Sequence, residues 1–299
     1  MQKVRYDAGE VVTAMITPFK EDFSVDFKSL ENLVHHLIEN GTDTILVNGT
    51  TGESPTLTHD EELDILKCVR EVTNNKVKIM MGASSNSTHT AVEVVKRTEQ
   101  IGADSILSVV PYYNKPNQKG IFAHFSEIAK ATSLPVMLYN IPGRCGVPIN
   151  PETISELART HLNIFGVKQS APDIDLVTEI AYDTPEDFTI YSGDDSMTLP
   201  MLAVGGVGVV SVASHLRGKE IKQMINAFKA GNNKLAKQIH FDNYDFFSGI
   251  FTHPNPIPIK ALLKDAGIID SDEVRPPLIK LDKKEIAALK VAISDNMLP

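Results

Sequence analysis

The sequence predicts an α/β fold, a (β/α)8 TIM barrel with additional C-terminal helices. Three observations lead there. Short apolar runs alternate with longer amphipathic segments over the first three quarters of the 299 residues. The apolar runs are continuous, the pattern of strands buried on both faces as in a parallel sheet. The residue clusters able to carry chemistry fall directly after runs two, four, five and six, and in a closed parallel barrel all such strand ends meet at one mouth.

The strand-like runs are Val11–Ile16, Thr44–Val47, Lys78–Met81, Ser105–Val110, Pro135–Tyr139, Ile164–Val167, Phe188–Tyr191 and Gly208–Val212. Between them Phe27–Asn40 places Leu30, Leu33, Val34 and Leu37 on one helical stripe and stops before Gly41, a residue suited to the turn beyond a helix end. His59–Thr73 carries Leu63, Leu66 and Val69, and Thr88–Ile101 stops before Gly102. Pro151–Arg159 starts with proline in the first turn, where a missing N–H costs nothing. Ile174–Tyr182, Ser196–Ala203 and Gly218–Lys229 follow. Alternation of this kind argues for parallel strands with crossovers. An open doubly wound sheet also accommodates eight strands, so the count leaves closure open and the clustering of chemistry favours the barrel.

Beyond about residue 230 the strand-like runs stop, and Asn232–Phe247, Pro258–Ala266 and Lys283–Ser294 read as helices. No low-complexity stretch marks a linker. The expected organisation is a barrel over residues 1–230 with a helical extension, residues 231–299, packed on it.

Composition excludes several functions. With 42% hydrophobic and 22% charged residues the chain is globular. A net charge of −9 and no dense Lys/Arg run argue against nucleic acid. Cys68 and Cys145 form neither a disulfide framework nor a zinc pattern, which fits a reducing cytosol. The Met1–Glu10 stretch lacks the apolar core of a secretory signal, and no run approaches the ~20 apolar residues a membrane span needs. The expectation is a soluble, cytoplasmic protein with no membrane contact.

Four clusters carry chemistry. Lys168 closes the run Ile164–Val167. Burial disfavours an ammonium, and an uncharged amine attacks a ketone to form an imine. Alone, such a lysine also reads as a strand-end side chain reaching for solvent. Gly49-Thr50-Thr51-Gly52-Glu53-Ser54 follows the second run. Its two glycines permit a tight turn whose N–H groups and hydroxyls hold a carboxylate; it also reads as a plain β–α turn with Thr51 or Ser54 as cap. No Gly-Lys-Ser/Thr follows, so it is no phosphate loop. Tyr139-Asn140-Ile141-Pro142-Gly143-Arg144 offers a proton relay and a forked carboxylate clamp, or simply a buried tyrosine and a surface arginine. In Pro111-Tyr112-Tyr113-Asn114 adjacent tyrosines point in different directions, so one is expected to face the pocket.

Other features are set aside. Ser192-Gly193-Asp194-Asp195 reads as a helix start with acidic caps. Gly205-Gly206-Val207-Gly208 precedes a strand, with no helix as a dinucleotide loop requires. The nine histidines show no metal-ligand spacing, and His35-His36 reads as a solvated helix pair.

Taken in order and spacing, G-T-T-G-E-S, P-Y-Y-N, Y-N-I-P-G-R, G-V-K and S-G-D-D resemble the dihydrodipicolinate synthase family of the N-acetylneuraminate lyase superfamily. The resemblance runs from about Val11 to the Pro254-Asn255-Pro256-Ile257-Pro258-Ile259-Lys260 stretch. It implies pyruvate held as an imine on Lys168 and condensed with L-aspartate 4-semialdehyde, in lysine and diaminopimelate biosynthesis. Tyr139 would move protons through a relay with Thr50 and with Tyr113 from a neighbouring subunit. Thr51 would join Thr50 in holding the pyruvate carboxylate, Arg144 would bind the semialdehyde carboxylate, and Gly193 and Val210 would line the site. The family implies no metal, no organic cofactor and a homotetramer built as a dimer of dimers.

Within the superfamily, lyases for N-acetylneuraminate or 2-keto-3-deoxy sugar acids are the alternative. Arg144 suits a short carboxylated aldehyde better than a polyhydroxylated chain. Ser54, His59, Asn86 and Tyr112 match a regulatory lysine site of the family, whereas Pro55, Glu62 and Thr90 depart from it. Weak or absent lysine inhibition is therefore expected.

Overall fold

The computed structural model describes residues 5–293. Met1–Val4 of the polar N-terminal stretch and Ser294, the expected end of the last helix, lie outside them. Eight parallel strands close on themselves in chain order: β1 Val11–Ala14, β2 Thr44–Val47, β3 Lys78–Gly82, β4 Ser105–Val109, β5 Val136–Asn140, β6 Ile164–Gln169, β7 Thr189–Ser192 and β8 Gly206–Ser211. The sequence-predicted barrel is thus the observed one, and β1 pairs with β8 through Val11–Val209, Val12–Val210 and Thr13–Ser211.

Helices return each strand to the next: α1 Phe27–Glu39, α2 His59–Thr73, α3 Thr88–Ile101, α4 Gln118–Lys130, then short α5 Pro142–Cys145, α6 Pro151–Thr160, α7 Ile174–Asp183, α8 Thr198–Leu202 and α9 Ser214–Lys229. Leu30, Leu33, Val34 and Leu37 of α1 are all buried, and Gly41 beyond it has φ +89°. Gly102 caps α3 at φ +98°. Helix α4, which the sequence reading did not single out, buries Ile121, His124, Phe125 and Ile128.

Two apolar layers result. Val12, Leu46, Met80, Leu107, Met137, Phe165, Tyr191 and Val210 fill the barrel, while a larger cluster packs the strands' outer faces against the helices. Strict alternation would send Phe165 and Lys168, three residues apart, to opposite faces. The β5–β6 pairing passes from Val136–Ile164 to Met137–Gly166, leaving Phe165 unpaired. That bulge lets Phe165 join the interior while Lys168 reaches the mouth on the same side.

After α9 come α10 Asn233–Asp242, α11 Tyr244–Gly249, α12 Ile257–Asp265 and α13 Lys283–Ala292. The expected single helix Asn232–Phe247 is broken at Asn243, whose Nδ2 donates to Ile239 O and whose N–H bonds back to the preceding turn. His36 is corrected as well: it is half-buried, its Nε2 lying 2.7 Å from His215 O, because α1 packs on the start of α9. No helix among the described residues is long and apolar enough to cross a membrane.

Candidate active site

A cavity of about 530 Å³ opens at the C-terminal mouth of the barrel. Its walls include Thr50, Thr51, Tyr139, Arg144, Lys168 and Gly193. Lys168 and Tyr139 are neighbours across the β5–β6 ladder. Both side chains are buried, and Lys168 Nζ lies 4.2 Å from the Tyr139 ring centroid. The buried amine is therefore held against an aromatic face, with its tip on the cavity.

Gly193 makes room for it. A Cβ added there would overlap Ser170 Oγ and stand 2.9 Å from Lys168 Cε. The Gly193 N–H donates to Gln169 O at 2.8 Å, locking β7's end beside β6's.

The loop after β2 is built differently from the sequence reading. Gly49 and Gly52 do not supply the left-handed conformations; Asn48 (φ +55°) and Glu53 (φ +56°) do. Gly52 sits instead at a close approach, since a Cβ there would lie 3.2 Å from Met15 O and 3.3 Å from Asn48 N. Gly52 N and Glu53 N donate to Gly49 O and Thr50 O, each at 3.0 Å, closing the turn around the two threonines. Neither Thr51 nor Ser54 caps the next helix. Thr58 does, in a reciprocal capping box with Glu61.

What holds Glu53 in its left-handed state comes from the far end of the chain. Its carboxylate receives Lys260 Nζ and, at 2.9 Å, the backbone N–H of Arg275. Lys260 and Glu53 are both sealed from water. Burial pulls the Lys260 amine down to about 8, against the opposing pull of Glu53. Asn255 Nδ2 donates to Thr51 Oγ1 at 2.8 Å. The sequence reading singled out none of Glu53, Asn255 and Lys260 for the site. Asn255 and Lys260 stand in the sequence only as the polar pair of the proline-rich Pro254–Lys260 stretch, and Glu53 only as part of the Gly49–Ser54 motif.

Arg144 sits at the rim on α5, exposed, and its guanidinium makes no hydrogen bond or ion pair among the described residues. Tyr112 lines the cavity at 39% exposure. Tyr113 is not on the cavity wall; it is 89% exposed with φ +72°, so this chain alone does not bring Tyr113 to Lys168. Val210 lies within the barrel's apolar filling, and it is Val212 that lines the cavity.

Ser54 and His59 line the same cavity, as do Glu62, Ser85 and Thr90. Asn86 is not on the cavity wall; its carbonyl accepts Asn114 Nδ2 at 2.8 Å. His59 Nδ1 is 3.0 Å from Glu62 Oε2, and burial raises the Glu62 carboxyl despite that contact. The acidic pair after β7 is no helix cap. Asp195 crosses to the end of β8, accepting from Ser211 Oγ and from the N–H groups of Val212 and Ala213. Burial pushes its carboxyl up to about 6.

A closed parallel barrel whose buried lysine, tyrosine and hydroxyl-bearing loop converge at the strands' C-terminal mouth defines an α/β-barrel enzyme. Residues 7–296 match the dihydrodipicolinate synthetase family, and the chain belongs to that family. It is 50% identical over 277 residues to a 4-hydroxy-tetrahydrodipicolinate synthase of Nostoc punctiforme, covering 92% of this chain and 94% of that protein. It is 46% identical over 284 residues to the enzyme of the same name from Desulforamulus reducens, covering 95% and 96%. The crystal structure of the Cyanidioschyzon merolae enzyme with lysine bound superposes with a TM-score of 0.92 at 44% identity, covering 97% and 99%.

Proposed function

We propose that the chain is a 4-hydroxy-tetrahydrodipicolinate synthase, condensing pyruvate with L-aspartate 4-semialdehyde in lysine biosynthesis. The observation that carries this reading is the buried Lys168 amine held 4.2 Å from the Tyr139 ring at the cavity wall.

Lys168 Nζ attacks the pyruvate ketone, and the carbinolamine loses water to leave an imine. The imine withdraws electrons, so a methyl proton departs and an enamine forms. The enamine carbon attacks the aldehyde, and the new alkoxide takes up a proton. The substrate's own amine then adds to the imine carbon, closing the ring and releasing Lys168. One water leaves overall, and no electron acceptor is needed. Tyr139 carries the protons; its hydroxyl works in a relay with Thr50 and with Tyr113 of a second subunit. Thr50 and Thr51 receive the pyruvate carboxylate. Arg144, exposed at the rim and unpaired among the described residues, receives the semialdehyde carboxylate in a forked pair of bonds. Gly193 gives Lys168 its space, and Val210 packs beneath the site.

The exposed Tyr113 supports a working assembly of at least two subunits, within a homotetramer. The chain works in the cytoplasm. Ser54, His59 and Tyr112, all on the cavity wall, belong to a regulatory site at which lysine binds weakly. Borohydride reduction in the presence of pyruvate, followed by peptide mass mapping, tests the reading. A pyruvyl adduct on Lys168 is expected, and an adduct elsewhere overturns the site.

A further inference from the structure

We infer that Asn255 is a positioning residue that aims the Thr51 hydroxyl at the substrate carboxylate, an inference that rests on the function proposed above. A threonine hydroxyl has one proton to give and lone pairs to receive. Asn255 Nδ2 donates to Thr51 Oγ1 at 2.8 Å, filling an acceptor position. Thr51 Oγ1 gives its proton to no acceptor among the described residues. Both side chains line the cavity. With its accepting side engaged, Thr51 presents its O–H toward the cavity as a donor, the role an incoming carboxylate requires.

Among the described residues, the Asn255 side chain makes its hydrogen bond to Thr51 and to no other group. Its Oδ1 is buried without a partner among the described residues, so no second hydrogen bond fixes the amide there. The rest of the loop is fastened by other groups: Thr17 Oγ1 donates to Gly52 O at 2.7 Å, and Lys260 with the Arg275 N–H holds Glu53. Among the described residues, Asn255 is the one hydrogen-bond partner of the Thr51 hydroxyl.

A double-mutant cycle tests this. Pyruvate is varied at saturating L-aspartate 4-semialdehyde for the unsubstituted chain, Thr51→Val, Asn255→Ala and the double variant. Each single change is expected to raise the pyruvate KM about tenfold, the loss of one charge-assisted hydrogen bond, with kcat changed less than about threefold. The double variant is expected to match Thr51→Val alone. In a Thr51→Ser background, which keeps the hydroxyl, Asn255→Ala is again expected to raise KM about tenfold. A double variant with KM raised about a hundredfold, the product of the single effects, overturns the assignment, as does a loss confined to kcat. If Asn255→Ala does not fold, Asn255→Ser is read in the same cycle. Borohydride trapping of pyruvate on the unsubstituted chain separates the two levels. An adduct on Lys168 with an additive cycle overturns the role of Asn255 alone; no adduct overturns the proposed function and this role with it.

Discussion

Glu53 and Lys260, 207 residues apart in sequence, meet in an ion pair that water does not reach. Glu53 belongs to the loop that carries Thr50 and Thr51, and Lys260 to α12, which begins within the proline-rich stretch. Breaking a buried pair by removing one partner strands the other charge, a cost of about 3–5 kcal/mol. Lys260→Met should therefore lower stability by about that amount and raise the pyruvate KM, because Glu53 loses what holds it at φ +56°. Chemical denaturation beside steady-state kinetics checks both. Unchanged stability would show that the pair is not what holds the loop.

Removing the proposed nucleophile should stop turnover. Lys168→Ala is expected to lower kcat at least about a thousandfold and to abolish the borohydride-trapped adduct while the barrel stays folded. Residual activity near that of the parent would place the imine on another amine.

Gly193→Ala probes space rather than chemistry. The added methyl must displace Ser170 Oγ and Lys168 Cε. A misplacement of the amine by about 1 Å is expected to lower kcat about 10- to 100-fold with secondary structure intact, as circular dichroism would report.

Acid should weaken the fold through His215. Its Nε2 accepts the Ile16 N–H at 3.1 Å, its Nδ1 lies 2.8 Å from Val212 O, and burial pulls it down to about 4. The folded state thus prefers the neutral ring. Its contribution is complete above the unfolded value of about 6.5 and is lost as pH falls toward about 4. At about pH 5 the loss is on the order of 2 kcal/mol, and His215→Gln should flatten this part of the stability–pH curve. An unchanged slope in urea titrations of the variant would assign the acid sensitivity elsewhere.

Lysine at micromolar concentration should leave the rate nearly unchanged. On the cavity wall Glu62 already faces His59 at 3.0 Å, and Thr90 offers a hydroxyl where an ammonium needs a carboxylate. Strong inhibition in a rate assay would reverse this expectation.

Tyr113→Phe is expected to lower turnover while pyruvate binding stays largely intact. Equal loss of both would argue against a relay role.

The sequence by itself determined the barrel and the neighbourhood of Lys168. Continuous apolar runs mark strands buried on both faces. Motifs standing directly after those runs arrive at one mouth whatever the loops do, because parallel strands share a direction. That is why Lys168, Tyr139, Thr50, Thr51 and Arg144 were legible from spacing. Tertiary structure alone decided which residues hold them there. No local pattern links Asn255 to Thr51 or Lys260 to Glu53, since those contacts form only when the C-terminal helices fold back over the mouth. Nor does periodicity reveal that β6 skips Phe165, that Asp195 braces β8 rather than capping a helix, or that Tyr113 is not on the wall of its own cavity. Each depends on a close approach between distant backbones, where the space and partners available to a side chain are set by the rest of the fold.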